Sequence, residues 1–150
     1  MVKFLRVVVF TVGLALGACN WVCAEASAQS SLDIRGTFSI TFFRGKVSFK
    51  VGELTNAGSP GSVSGRIEVA VWLSKQPYPG SGQPDGMRLA KCRVEGVAGG
   101  ESVVNLSCSA KIRPIKRGKY YIIVTASELE ASSSSFLVRD SYTFSKRLRL

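Results

Sequence analysis

The stretch Gly65–Ser74, G-R-I-E-V-A-V-W-L-S, decides how the rest of the chain is read. Ile67, Val69, Val71 and Leu73 recur at every second position and so share one face of an extended strand. Glu68, Ala70 and Trp72 fall on the other face, and β-branched and aromatic side chains suit a pleated surface. The pattern predicts a central strand with one side in a core and the other partly covered. Trp72 is expected to belong to the core.

The flanking segments repeat the same period. Towards the N-terminus, Leu32, Ile34, Phe38, Ile40 and Phe42 occupy even positions of a first strand, with Gly36 marking a bulge or bend. Phe43-Arg44-Gly45-Lys46 breaks the phase as a tight connection, and Val47, Phe49 and Val51 alternate with Ser48 and Lys50 in a second strand. Asn56–Gly61 is dense in turn formers. Beyond the central strand, Gln76–Gly86 holds three of the chain's 5 prolines and is expected as a long exposed loop, since proline cannot serve a ladder. Met87–Val94 and Val103–Ala110 read as strands around a turn at Gly96–Gly100. Pro114 and Gly118 bracket a short basic connection, and Tyr120–Ala126 is a strongly apolar strand. A serine turn at Ser132–Ser135 leads to a short piece, Phe136–Val138, and then to Tyr142–Leu150 with Tyr142, Phe144, Leu148 and Leu150 in phase.

No helical stripe of useful length follows the first segment. Roughly seven or eight short strands with Gly, Pro and Ser turns predict an all-β fold, an immunoglobulin-like antiparallel β-sandwich, with a small open barrel as the alternative.

The order of several short motifs resembles a known family. Asn56-Ala57-Gly58 precedes Val69-Ala70-Val71-Trp72-Leu73-Ser74, followed by Gly99-Gly100-Glu101-Ser102 and Gly118-Lys119-Tyr120-Tyr121. This succession resembles the bacterial CARDB-type, fibronectin type III-like β-sandwich modules of secreted proteins, over about Phe38–Phe144. Phe136–Ser145 likewise resembles the end of β-sandwich modules attached to secreted bacterial proteases. The resemblance implies a seven-stranded, non-catalytic, extracellular module used for adhesion or accessory binding.

The chain of 150 residues carries a formal charge of +10, from 20 Lys and Arg against 10 Asp and Glu, and has no histidine. The absence of histidine excludes Ser-His-Asp and Cys-His nucleophiles and any His-ligated zinc. The excess positive charge implies affinity for polyanions, or simply a self-repelling surface.

Lys3 and Arg6 precede an unbroken apolar run, Val7–Ala18, that suits the core of an export signal. The run is too short for a membrane-spanning helix, which takes about 20 residues. Small-residue cleavage patterns follow, and residues 1–28 are expected as a signal peptide cleaved after Ala28, with Ala26 or Ala24 as neighbouring alternatives. Residues 29–150 then form the mature domain, secreted or periplasmic and without a transmembrane span. Leu16-Gly17-Ala18-Cys19 resembles a lipobox, so lipidation at Cys19 and a membrane-anchored lipoprotein are the alternative. Cysteine parity favours cleavage after Ala28, because it removes Cys19 and Cys23 and leaves Cys92 and Cys108 as an even pair in an oxidising space. That cleavage removes only Lys3, Arg6 and Glu25 among the charged groups, so the basic character belongs to the domain itself.

Cys92 and Cys108 flank Gly100 and are expected as a disulfide, either across a hairpin or between opposite sheets. A closed loop of this size contributes roughly 3 kcal/mol. The pair lacks the C-x-x-C spacing of a redox site. Glu128 and Glu130 share a strand phase beside a serine turn and are expected at a solvated loop edge. No metal or cofactor is implied.

Cations cluster at Arg44, Lys46 and Lys50, at Lys111, Arg113, Lys116, Arg117 and Lys119, and at Lys146, Arg147 and Arg149. Trp72, Tyr78 and Tyr142 are the aromatics with the best claim to face outward, Tyr78 as a contact platform in the Pro/Gly loop. The expected binding surface joins Tyr78 in the Gln76–Gly86 loop to Arg113, Lys116, Arg117 and Lys119. Its expected partner is a protein or an anionic glycan, lipid or envelope surface. Nucleic acid is not expected, since no aromatic motif interleaves the cations. The oligomeric state is left open by the sequence. A non-catalytic binding or adhesion module at the cell envelope is the leading expectation, with a small inhibitor or effector that blocks a partner enzyme through a loop as the alternative.

Intact mass of the exported protein checks the processing. The mass of residues 29–150 with two hydrogens lost to the disulfide is the expected result, and a diacylglycerol adduct on Cys19 would establish the lipoprotein instead.

Overall fold

In a computed structural model, residues 31–150 are described; the expected signal segment, with Cys19 and Cys23, lies outside them. Eight strands follow one another: β1 (Leu32–Phe43), β2 (Lys46–Asn56), β3 (Ile67–Ser74), β4 (Met87–Val94), β5 (Ser102–Lys111), β6 (Lys119–Glu130), β7 (Ser135–Thr143) and β8 (Leu148–Arg149). One antiparallel sheet has the order β1-β2-β5, the other β4-β3-β6-β7, with β8 pairing the start of β6. The β-sandwich expected from the alternation is therefore the observed fold. In the constant-type immunoglobulin arrangement the fourth strand joins the first sheet beside the fifth. Here it pairs with β3 instead.

Every residue of β3 is buried, as its position between β4 and β6 requires. Ile67, Val69, Val71 and Leu73 form the floor of the core with Ile122, Val124 and Ala126 of β6, and Val47, Phe49, Val51 and Leu54 of β2 supply the facing layer. Each fully buried side chain of this kind contributes roughly 1.5–3 kcal/mol. The period of two thus becomes burial on the inner faces.

Local geometry follows the sequence closely at two glycines. Arg44 and Gly45 both have positive φ, 46° and 73°, giving the type I′ hairpin turn whose twist matches the strands it joins. Gly36, at φ 80°, lies in the register shift between Arg35 and Phe38 and forms the expected bulge. A Cβ on Gly52 would come within 2.8 Å of the Thr37 nitrogen, so the bulge closes against bare backbone.

Both side seams of the sandwich are fastened. On one side the disulfide Cys92–Cys108 joins β4 to β5, with Cα atoms 6.0 Å apart. Cys92 is the ladder partner of Val69 and Cys108 that of Phe49, both core residues. Of the two arrangements open to the pair, the bond between opposite sheets is the one adopted. On the other side, the Ile34 N–H of β1 donates to Asp140 Oδ2 of β7 at 2.7 Å. Phe38 stacks on Tyr142 with ring centroids 4.5 Å apart, and Phe144 meets both rings edge-on.

One end is closed by Asn56, which is wholly buried. Its Nδ2 donates to the Val97 carbonyl at 2.8 Å and its Oδ1 accepts from the Gly58 N–H at 3.0 Å. Its backbone N–H donates to the Glu101 carbonyl at 3.0 Å, and its carbonyl accepts from the Gly100 N–H at 2.7 Å. A single residue thus ties the β2–β3 loop to the β4–β5 turn.

The last third of the chain departs from expectation. β6 runs to Glu130 rather than ending at Ala126, and β7 spans Ser135–Thr143 rather than three residues. Beyond Thr143 only Leu148–Arg149 forms a strand. Arg139 and Asp140 interrupt the apolar alternation, but Glu128 and the Ile34 N–H satisfy them, so charged residues are carried inside the ladder. Among the described residues no helix is long and apolar enough to cross a membrane.

Replacing both disulfide cysteines, Cys92→Ala with Cys108→Ala, is expected to lower unfolding free energy by about 3 kcal/mol in reversible urea titration. Native material should contain no titratable thiol at these positions.

Candidate functional site

All the strands run between two ends. Opposite the Asn56 closure lie the β1–β2 hairpin, the base of the β3–β4 loop, the β5–β6 loop and the segment after β7. These elements gather cations that are far apart in sequence. Arg44 and Lys46 come from the hairpin, Lys75 from the end of β3, Lys111 to Lys119 from the β5–β6 loop, and Lys146, Arg147 and Arg149 from the last segment. Backbone bonds fix the convergence. The Ile112 N–H donates to the Gly45 carbonyl at 3.0 Å, and Gly118 and Leu150 exchange two bonds of 3.0 Å.

The ladder then sets like charges opposite each other. Lys46 faces Lys111 across β2 and β5, and Lys119 faces Arg149 across β6 and β8, with all four exposed. Directly opposed like charges destabilise a sheet. Among the described residues the one acid at this end is Asp85; Asp33, Glu53, Glu68, Glu95, Glu101, Glu128, Glu130 and Asp140 lie in the rest of the molecule. The ion pairs among the described residues also form elsewhere, and three cations of this pole rest on rings. Lys75 lies 5.1 Å from the Tyr120 ring centroid, Arg147 4.7 Å from that of Tyr121, and Arg44 5.0 Å from that of Phe43.

Several hollows open at the pole, and two of them border the middle of the β5–β6 loop at Pro114 and Ile115. One, of ≈ 410 Å³, lies between the base of the β3–β4 loop and the β5–β6 loop, with Lys75, Asp85, Met87, Ile115 and Lys116 on its walls and Tyr120 within. The other, of ≈ 340 Å³, is largely apolar and lies among Phe42, Ile112, Arg113 and Ile115. The two loops expected to cooperate therefore do meet, through the base of the first and the middle of the second. Lys116 lines the hollow beside Lys75 and Asp85, and Arg113 the apolar one. Arg117 and Lys119 group with Arg149. Lys50, by contrast, lies within β2 opposite Ser39 and Ser107, away from the pole.

Tyr78 is not at this site. Its ring packs against Ala70, Trp72 and Ile123 on the outer face of the larger sheet, and its hydroxyl donates to the Gly82 carbonyl at 2.7 Å. The Pro/Gly loop is thus folded back over the sheet with Tyr78 as its anchor. Trp72 is buried beneath this cover rather than between the sheets, and its indole N–H donates to Thr125 Oγ1 at 3.0 Å. Tyr142 is exposed as expected, yet it is held in the β1–β7 seam.

Several acids have structural work. Glu68 is buried and meets Arg88 and Lys91 at 2.9 Å and Arg93 at 3.5 Å. Arg88 and Arg93 also lie over the rings of Trp72 and Phe136. Glu128 is buried rather than at a solvated loop edge; Oε1 accepts from the Gly65 N–H at 2.7 Å and Oε2 from Arg139 at 3.2 Å. The Glu68 cluster was hidden in the sequence because the irregularity at Val71/Trp72 breaks the two-residue phase between Arg88, Lys91 and Arg93. Among the described residues no three His, Cys, Asp or Glu side chains group as metal ligands.

In comparisons with protein-family models, curated proteins and solved structures, none matched this chain. The motif residues nonetheless have evident structural roles. Asn56 and Gly58 close one end, and a Cβ on Gly99 would come within 2.0 Å of the Ser59 carbonyl.

Burial raises the Tyr78 hydroxyl pKa above its ordinary value. A folded-state value above the unfolded one means that this stabilisation is complete below the usual tyrosine range, about pH 10, and is lost as pH rises through the folded value. Phenolate absorbance should show a late-titrating component that is missing in Tyr78→Phe, and the variant should lose less stability at high pH than the parent.

Proposed function

We propose that the protein is an exported, non-catalytic binding module of the bacterial cell envelope that engages an anionic polymer or surface through its basic pole. The observation that carries this reading is the opposition of Lys46 to Lys111 and of Lys119 to Arg149 at an end where Asp85 is the one acid among the described residues. Opposed like charges cost the ladders stability, and local departures from stable design mark functional sites. A polyanion would relieve the repulsion held there. The field of such a cluster steers anions over a Debye length, about 8 Å at physiological salt.

The disulfide supports an oxidising compartment. The resemblance to secreted β-sandwich modules supports an adhesion or accessory role, and cleavage after Ala28 is the processing this reading takes. A binding rather than a hydrolytic role is supported by the engagement of Glu68 and Glu128 in internal pairs.

Reversing three charges together, Arg113→Glu, Lys116→Glu and Lys119→Glu, tests the pole against a soluble polyanion such as dextran sulfate. Exposed charge contacts are each worth about 0.2–1 kcal/mol, so the triple variant should bind about tenfold more weakly or worse at low salt. Parent affinity should fall as salt rises, and Lys50→Glu, outside the pole, should change little. Unchanged affinity in the triple variant would remove the pole from the account.

A further inference from the structure

We infer that the anionic partner of the basic pole is a lipid bilayer surface, on which Phe43 inserts to the boundary between headgroups and acyl chains while the surrounding cations hold lipid phosphates. This inference rests on the basic pole being the binding surface and adds what that reading leaves open.

Charge alone does not distinguish a soluble polyanion from a membrane. The apolar groups at the pole do. Phe43 is 64% exposed at the tip of the β1–β2 hairpin, next to a turn whose two central residues, Arg44 and Gly45, have positive φ. A type I′ turn is a tight, defined geometry, so the ring is presented rather than left on a loose loop. Arg44 lies 5.0 Å from its centroid, placing a cation beside the exposed ring. Behind the tip lies the apolar hollow among Phe42, Ile112 and Ile115. Met87, 38% exposed, continues the apolar surface past Ile112 and Arg113.

An exposed apolar ring with Arg44 against it and Lys46 opposite it in the ladder has a specific use at a bilayer. Aromatic rings settle at the boundary between headgroups and acyl chains, and Lys and Arg lay their stems along the apolar layer while their charges stay with phosphate. Anionic leaflets attract basic segments through the surface potential, within about a Debye length. A polysaccharide can stack one sugar face on Phe43, but it leaves the apolar surface of Ile112, Ile115 and Met87 behind the ring in water. The charge complementarity and the apolar surface continuing behind the ring therefore favour the membrane.

The test uses the protein with vesicles of phosphatidylglycerol and phosphatidylethanolamine, neutral phosphatidylcholine vesicles, and dextran sulfate as the soluble anion. Phe43→Ser should bind the anionic vesicles about tenfold more weakly while its affinity for dextran sulfate and its unfolding midpoint stay at parent values. Phe43→Trp should be quenched by brominated acyl chains in the anionic vesicles and not in the neutral ones. Equal vesicle binding by Phe43→Ser, or no quenching of Phe43→Trp, would overturn the insertion. Binding to dextran sulfate without binding to vesicles would overturn the membrane assignment and leave the basic pole as a site for soluble polyanions. Binding to neither would sink both readings.

Discussion

The structure depends on closure of its two side seams. Two stacked sheets present four edge strands, and an open edge is a template for pairing with another chain. Here β4 and β5 are held by the Cys92–Cys108 bond, and β1 and β7 by the Asp140 carboxylate and the Phe38–Tyr142–Phe144 cluster. The covalent seam stands where β4, paired with β3 in the larger sheet, lies beside β5, the edge of the smaller one. The bond thus joins two strands that share no ladder. With both sides fastened around the Phe49 and Val69 layer, the ends are the surfaces free to vary.

The two ends have been put to different uses. At one, Asn56 and the backbone of Val97, Gly100 and Glu101 satisfy one another in a buried network. Such a network is costly to disturb, because removing either partner strands a buried polar group at about 1–3 kcal/mol. At the other, cations oppose cations and rest on aromatic rings. The buried hydrogen bonds lie at the Asn56 end, and the basic end is left with opposed like charges.

The outer face of the larger sheet shows a third arrangement. Trp72, Ala70 and Ile123 would make an exposed apolar patch, and Tyr78 covers it by bringing the Pro/Gly loop back across the strands. The buried Glu68 continues this face under three basic side chains, which supply the charge compensation a buried carboxylate needs. A loop rich in proline and glycine therefore acts as a cover for the sheet, anchored by the Tyr78 ring on the apolar patch and by its hydroxyl on the loop's own Gly82 carbonyl.

Alternation at Ile67–Leu73, the turn at Arg44-Gly45, the bulge at Gly36 and the pairing of Cys92 with Cys108 were all legible in the sequence. Each is a local consequence of side-chain period, φ preference or cysteine parity. The extent of β6 and β7 was not legible, because Glu128, Arg139 and Asp140 look like loop residues until their partners arrive from other strands. Nor were the Glu68 cluster, the withdrawal of Tyr78 to the sheet face or the exposure of Phe43. The sequence alone determined the class of fold, the basic character and the three cation clusters. Only the tertiary structure decided that those clusters, Lys50 excepted, share one pole, because charge at a point in space depends on strand order and register, which are set by long-range pairing and burial rather than by neighbours along the chain.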